Sequence, residues 1–288
     1  MNYYLSIDGG GAKGASAIKA LQYIEQLRKR KLQFKGYAGT SVGALLASLL
    51  AKGLLVDEVV EIMDKDLKSA FMKQPWYCKF NIYKPKYQSK GLSELLYKYL
   101  GDITFEELPS ELTIVACSSR LDKFVVYNKT ETPKVLVRDA ALHSASAPTY
   151  FDPFMKYGTD GGLIANNPVA VLQCQLPIAE DYHIFSMGTG FDLMQTHDLT
   201  KFSIVGWGKY LLKTWLTNSG GAMTYIATQH AKRVNEYKGN EDNKVLRIIP
   251  PSEIEFEMDD LDKVDEQVAL WQDEINSKQE EILSFFNK

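Results

Sequence analysis

The chain has 288 residues, 45% of them hydrophobic and 24% charged, with a formal net charge of −3. These proportions belong to a soluble globular protein and exclude a disordered, collagen-like or disulfide-scaffold chain. Thirty-three basic against 36 acidic residues give no broad basic field, which argues against nucleic acid, and Cys78, Cys117 and Cys174 follow no disulfide or metal spacing.

Tyr3 to Ile7 predicts a short β-strand, and Asp8-Gly-Gly-Gly-Ala-Lys-Gly14 a glycine loop after it. Ala17, Ile18, Ala20, Leu21, Ile24 and Leu27 then recur at threes and fours, the pattern of a helix with one buried stripe. Phe34 to Gly39 reads as a second strand, Thr40-Ser41 as a turn, and Val42 to Lys52 as a helix stopped by Gly53. The longest apolar run, Val42 to Ala51, is far short of the ~20 residues a bilayer span requires. No basic start or cleavage site opens the chain, so the expected location is cytoplasmic or peripheral to a membrane, with signal-independent secretion left open.

Thr104-Phe-Glu-Glu107 has the spacing of a capping box at a helix start. Leu112 to Ala116 and Phe124 to Tyr127 read as further buried strands, as does His183 to Met187, which ends in Gly188-Thr-Gly190. Strands alternating with helices predict an α/β fold with a mostly parallel sheet covered on both faces. Leu199 to Asn235 holds no acidic residue, whereas Pro251 to Lys288 is strongly acidic with helical spacing at Val268, Leu270, Trp271, Ile275, Ile282 and Phe285.

Three patterns carry chemistry. Gly39-Thr-Ser41-Val-Gly43 lies at the strand-to-helix turn, where a tight bend lifts a serine hydroxyl clear of the sheet. The bland alternative is a packing turn whose serine caps the helix. The glycines after Asp8 leave backbone amides facing outward beside a helix N-terminus, a nest for a phosphate or an oxyanion. The third is Asp160-Gly161-Gly162, followed by Asn166-Asn167-Pro168. A nucleophilic serine needs a base, and none of His143, His183, His197 and His230 sits in a catalytic context, which leaves Asp160 as the best candidate.

In this order, Asp8-Gly9-Gly10-Gly11-x-Lys13-Gly14, Gly39-x-Ser41-x-Gly43 and Asp160-Gly161-Gly162 resemble the patatin-like family of lipid acylhydrolases. Ser144-Ala-Ser-Ala-Pro-Thr-Tyr-Phe151 is similar to that family's serine- and alanine-rich stretch. The resemblance implies a three-layer α/β/α fold with a catalytic domain over 1–195 and a helical extension over 196–288 packed on the same core. It also implies Ser41 as nucleophile, Asp160 as its dyad partner, and an oxyanion hole at Gly9, Gly10 and Gly11. Gly39 and Gly43 would frame the nucleophile elbow, and Gly161 and Gly162 would complete the motif around Asp160. Lys13, implied at the same oxyanion hole, stands where the family more often has arginine; lysine keeps the charge and loses the planar fork. The implied activity is metal-independent and cofactor-free cleavage of fatty-acyl esters, of phospholipase A or lysophospholipase type. Its substrate would be phospholipid or lysophospholipid at a membrane surface, while the oligomeric state stays open.

Three other readings compete. A sugar-kinase-like ATP-binding fold also uses an Asp-Gly-Gly-Gly loop, but there the loop runs into a second strand, and Ser41 is left without a role. A Ser-His-Asp α/β-hydrolase needs a histidine after the acid, which leaves His183, His197 or His230. A non-enzymatic lipid-binding module needs neither Ser41 nor Asp160.

Residues 67–93 carry Lys68, Lys73, Lys79, Lys84, Lys86 and Lys90 without an acid, interleaved with Phe71, Trp76, Tyr77, Phe80, Tyr83 and Tyr87. Residues 199–235 carry Lys201, Lys209, Lys213, Lys232 and Arg233, with Trp207, Leu211, Leu212, Trp215 and Leu216 among them. Two readings stand side by side: aromatic core with a solvated lysine rim, or an interfacial surface in which aromatics enter the head-group layer.

Overall fold

The computed structural model describes residues 1–74, 84–120, 123–189, 191–192, 204–252 and 256–287. Strand β1 (Asn2–Ile7) leads through the glycine loop and one 3-10 turn (Gly11–Lys13) into α1 (Gly14–Arg28). Next come β2 (Gly36–Thr40), α2 (Val42–Ala51), α3 (Val56–Ala70) and α4 (Ser89–Leu100). The middle of the chain forms β3 (Glu111–Ser118), β4 (Lys123–Tyr127), α5 (Val137–Ser144), β5 (Gly158–Asp160), α6 (Gly162–Ala165), α7 (Val169–Gln175) and β6 (Tyr182–Met187). Then follow β7 (Phe191–Asp192), α8 (Ile204–Lys238), β8 (Lys244–Ile248), β9 (Pro251–Ser252), α9 (Val264–Ser277) and α10 (Gln279–Phe285).

The main sheet has the order β4-β3-β2-β1-β6-β8, with β5 joined to β3. β1, β2, β3, β6 and β8 run parallel, while β4 and β5 lie antiparallel to β3. Both faces are covered, which is why the parallel strands read as apolar runs without strict alternation. Successive side chains point to opposite faces and build two cores. On one face Leu5, Ile7, Phe185 and Ile248 pack with α1, α2, α9 and α10. On the other, Tyr4, Ala38 and Ile184 meet α7 and α8. The result is three layers.

Several expectations need revision. The sequence predicts Phe124–Tyr127 as a buried strand, yet β4 is the sheet's edge and Phe124 is 42% exposed, because an edge strand has one neighbour only. The capping box at Thr104 starts a single 3-10 turn (Phe105–Glu107): the ring of Pro109 disfavours helical backbone at Leu108 and ends it. The Glu107 carboxylate there accepts from the backbone N–H and Oγ1 of Thr104. The C-terminal third supplies the strand β8 as well as helices.

In the lysine-rich stretch the described aromatics are interior: Tyr87 is buried against Phe71, ring centroids 5.2 Å apart. Lys86 pairs with Asp259 at 2.5 Å and Lys90 with Glu94 at 3.5 Å, while Lys68, Lys73 and Lys84 are exposed. Trp76, Tyr77, Lys79, Phe80 and Tyr83 lie outside the described residues, as do His197 and Lys201. The same holds for the side chains of Trp207, Lys209, Leu211, Leu212, Lys213, Trp215 and Leu216. Among the described residues no helix is long and apolar enough to cross a membrane.

Candidate active site

The site lies where β1 and β2 end. Ser41 stands between β2 and α2 with φ 56° and ψ −125°, a conformation costly for a residue that carries a Cβ. The tight turn is possible because Gly43 packs against β1; a Cβ there would lie 2.2 Å from the carbonyl oxygen of Ile7. Ser41 is 5% exposed, and its Oγ donates to Oδ2 of Asp160 at 2.6 Å. The backbone N–H of Ser41 donates to Oγ of Ser144 at 2.8 Å, and that hydroxyl donates in turn to the carbonyl of Val115.

Asp160 ends β5, opposite Ala116 of β3. Its second oxygen, Oδ1, accepts from the backbone N–H of Gly162 at 2.7 Å, so both oxygens are engaged and the carboxylate is fixed. Burial pushes its pKa up to about 6, against the opposing pull of the bonds from Ser41 and Gly162. Gly161 donates its N–H to the carbonyl of Ser144, and Asp160 to that of Ser146. The turn after α5 therefore holds both halves of the Ser41–Asp160 pair.

The glycine loop runs alongside. Gly9 donates its N–H to the carbonyl of Asn166 at 3.0 Å, and its own carbonyl accepts from Oγ1 of Thr189. Ala12 donates its N–H to the carbonyl of Met258, and Lys13 to that of Gly10. Among the described residues, the amides of Gly10 and Gly11 meet no protein acceptor. Of the three glycines read as an oxyanion hole, Gly10 and Gly11 thus keep open donors, whereas Gly9 spends its own on Asn166. Gly11 adopts φ +60°, and a Cβ there would fall 2.1 Å from the oxygen of Met258.

Two cavities meet at Ser41. The larger, of about 180 Å³, is lined by Asp8, Gly9, Gly10, Lys13, Asp160 and Arg247 among others. The smaller, of about 40 Å³, is almost wholly apolar, with Leu45, Leu67, Phe71, Leu92 and Phe151 in its wall. Ala147, Tyr150 and Met258 border both. A larger cavity that holds the charged groups, joined to an apolar recess at one hydroxyl, suits an ester that carries a hydrocarbon chain.

The sequence-derived residues Gly9, Gly10, Gly11, Lys13, Ser41, Asp160, Gly161 and Gly162 come together here, with Gly39 and Gly43 beneath the serine turn. The described histidines do not. His143 bonds the Tyr127 hydroxyl and the Cys117 carbonyl, His183 sits edge-on to Tyr3, and His230 is exposed on α8. After the glycine loop the chain enters α1, where a kinase-like loop would enter a strand. Sequence reasoning missed Arg247, which reaches the site from β8, and Met258; only a lone arginine inside an apolar run hinted at the first. Among the described residues no group of three or more His, Cys, Asp or Glu is placed to hold a metal ion.

A cGAMP-activated phospholipase of Vibrio cholerae serotype O1 is 28% identical over 246 residues, 72% of this chain and 68% of its own length. A cGAMP-activated phospholipase of Escherichia coli (strain TW11681) is 30% identical over 207 residues, 62% of this chain and 58% of its own. Among solved structures, VipD from Legionella pneumophila matches 98% of this chain and 66% of that one, at 15% identity and a TM-score of 0.48. The family model described as patatin-like phospholipase matches residues 5–172, more than half of the sequence, and the chain belongs to that family.

Proposed function

We propose that the chain is a lipid acyl hydrolase of phospholipase A or lysophospholipase type, working through Ser41 and Asp160. Family membership supports lipid hydrolysis in general. The observation that carries the finer reading is the 2.6 Å bond from Ser41 Oγ to a buried carboxylate at a strained strand-to-helix turn. Asp160 accepts the proton as Ser41 Oγ attacks the ester carbonyl, and the amides of Gly10 and Gly11 receive the oxyanion. Asp160 then protonates the departing alcohol, and water repeats both steps to release the fatty acid. The apolar recess takes the acyl chain, and the larger cavity, with its charged groups, the alcohol part.

The dyad supplies the nucleophile and the base and the loop the donors for the oxyanion, so the reading includes no metal and no cofactor. It places the substrate, phospholipid or lysophospholipid, at a membrane surface that the protein meets peripherally. Residues 196–288 are taken as an extension of the 1–195 catalytic domain; the pairing of β8 with β6 and the burial of Trp271 are what packs it on the same core.

The test is labelling with a fluorophosphonate ester, followed by mapping of the modified residue and assay of phospholipid hydrolysis with and without a chelator. Modification of Ser41 and chelator-resistant release of fatty acid are expected. Label elsewhere, or no hydrolysis, overturns the reading. Because two relatives are named cGAMP-activated, the assay includes cGAMP, and a rise in rate on its addition would extend that property to this chain.

A further inference from the structure

We propose that Arg247 is a positioning residue for the reaction at Ser41: its guanidinium neutralises Asp8 at the head of the glycine loop, so that Gly10 and Gly11 receive the oxyanion free of an opposing charge. The inference rests on the Ser41–Asp160 reading. Arg247 lies on β8, outside residues 5–172.

The pair is built with care for geometry. Arg247 Nη2 donates to Oδ2 of Asp8 at 2.6 Å and Nη1 to Oδ1 at 3.1 Å, a two-pronged contact that takes both carboxylate oxygens. Nη1 also donates to Oγ of Ser186 at 2.9 Å. By register Ser6, Ser186 and Arg247 lie in one row across β1, β6 and β8. The hydroxyls of Ser6 and Ser186 both donate to Oδ1 of Asn167, whose amide reaches Oγ1 of Thr224 on α8. The guanidinium is thereby held from behind and has one place to point.

Stability alone does not explain such a pair. Taking two charges out of water offsets most of their attraction, and two apolar side chains of the same size would hold β1 and β8 as well. Position explains it better. Asp8 adjoins Gly9, and Asp8, Arg247, Gly10, Ser41 and Asp160 line one cavity. In the acylation step negative charge leaves Asp160, which takes the proton, and appears on the carbonyl oxygen. Burial pushes the Asp8 carboxyl up and the Arg247 contact pulls it down; without Arg247, any negative charge that Asp8 carries would repel the new one across a poorly screened cavity. Arg247 cancels it.

The experiment compares wild type, Arg247→Met, Asp8→Asn and the double variant, reading kcat and KM on a soluble short-chain ester together with the melting temperature. Arg247→Met is expected to lower kcat on the order of tens-fold with little change in KM, since the effect acts on the transition state. Adding Asp8→Asn removes the uncompensated charge and should return kcat to within a few-fold of wild type. A folded double variant as slow as Arg247→Met would overturn the proposal, because the uncompensated charge is then gone and the rate has not recovered. So would an Arg247→Met enzyme with unchanged kcat. If Arg247→Met does not fold, the double variant decides alone: active supports, folded and inactive refutes. Wild type that neither turns over the ester nor labels at Ser41 would sink the dyad reading instead, before any of these variants is compared.

Discussion

The first 172 residues and the last third of the chain meet at one site, yet they reach it differently. From the first part come Asp8, the glycine loop, Ser41 and Asp160, each placed by a backbone bend that requires glycine close by. From the last third come Arg247, held in the row of a packed strand, and Met258, whose carbonyl caps Ala12. A conformation that only glycine tolerates writes a pattern into the sequence; a side chain delivered by ordinary strand geometry does not. The two regions should therefore also fail differently, the first through chemistry and the second through placement.

The sharpest break comes at the nucleophile. Ser41→Ala should lower ester hydrolysis on the order of 10⁴- to 10⁶-fold, the usual loss for an acyl-enzyme nucleophile, with the melting temperature nearly unchanged. Residual activity within tenfold of wild type would mean that another group attacks the ester. Asp160→Asn follows closely, because an amide cannot take the proton. Its carboxylate also sets the pH dependence: the base form is required and burial places its pKa at about 6. The rate should thus fall as the pH drops through about 6. An acid limb near 4, the value of an ordinary exposed aspartate, would show that Asp160 is not the group being titrated.

How much of this was legible follows the same division. β1, α1, β2 and α2 were visible because apolar periodicity and glycine punctuation coincide there, and the same glycines flagged Ser41 and Asp160. The edge position of β4 was not, since Phe124 to Tyr127 is as apolar as a central strand and only pairing decides where it lies. β8 escaped because Lys244 and Arg247 break its run. The role of the loop amides was half visible: three glycines suggested three donors, but Asn166, 157 residues downstream of Gly9, occupies one of them. Long-range partners of this kind leave no local trace.

Ser144 offers a middle case, a first-region residue that works by placement. Its hydroxyl accepts from the backbone N–H of Ser41, and its carbonyl accepts from that of Gly161. It is wholly buried, so no water replaces the lost group. Ser144→Ala should slow kcat roughly ten- to a hundredfold, the range for a nucleophile misplaced by a fraction of an ångström, while KM holds. A loss as large as that of Ser41→Ala would instead assign Ser144 to the chemistry itself.

The smallest effect is expected at the strap that carries Met258. The neighbouring Asp259 accepts from the Tyr87 hydroxyl and from Lys86, which ties this stretch of the last third to a tyrosine packed behind Phe71 and Phe151 of the recess wall. Burial pushes its carboxyl up, but the bonds from Lys86 and Tyr87 outweigh that and leave it below the ordinary aspartate range. Lys86 is 55% exposed, and an ion pair so open to water contributes about 1 kcal/mol or less. Asp259→Asn should accordingly raise KM for a long-chain ester by at most about fivefold and leave kcat on a short-chain ester as it was. The comparison of chain lengths is what discriminates: Met258 borders both cavities, so a loosened strap disturbs the substrate that fills the recess and spares the one that does not. Equal losses on both esters would place Asp259 with the reacting groups, and the contrast between chemistry in the first region and placement in the last would no longer hold.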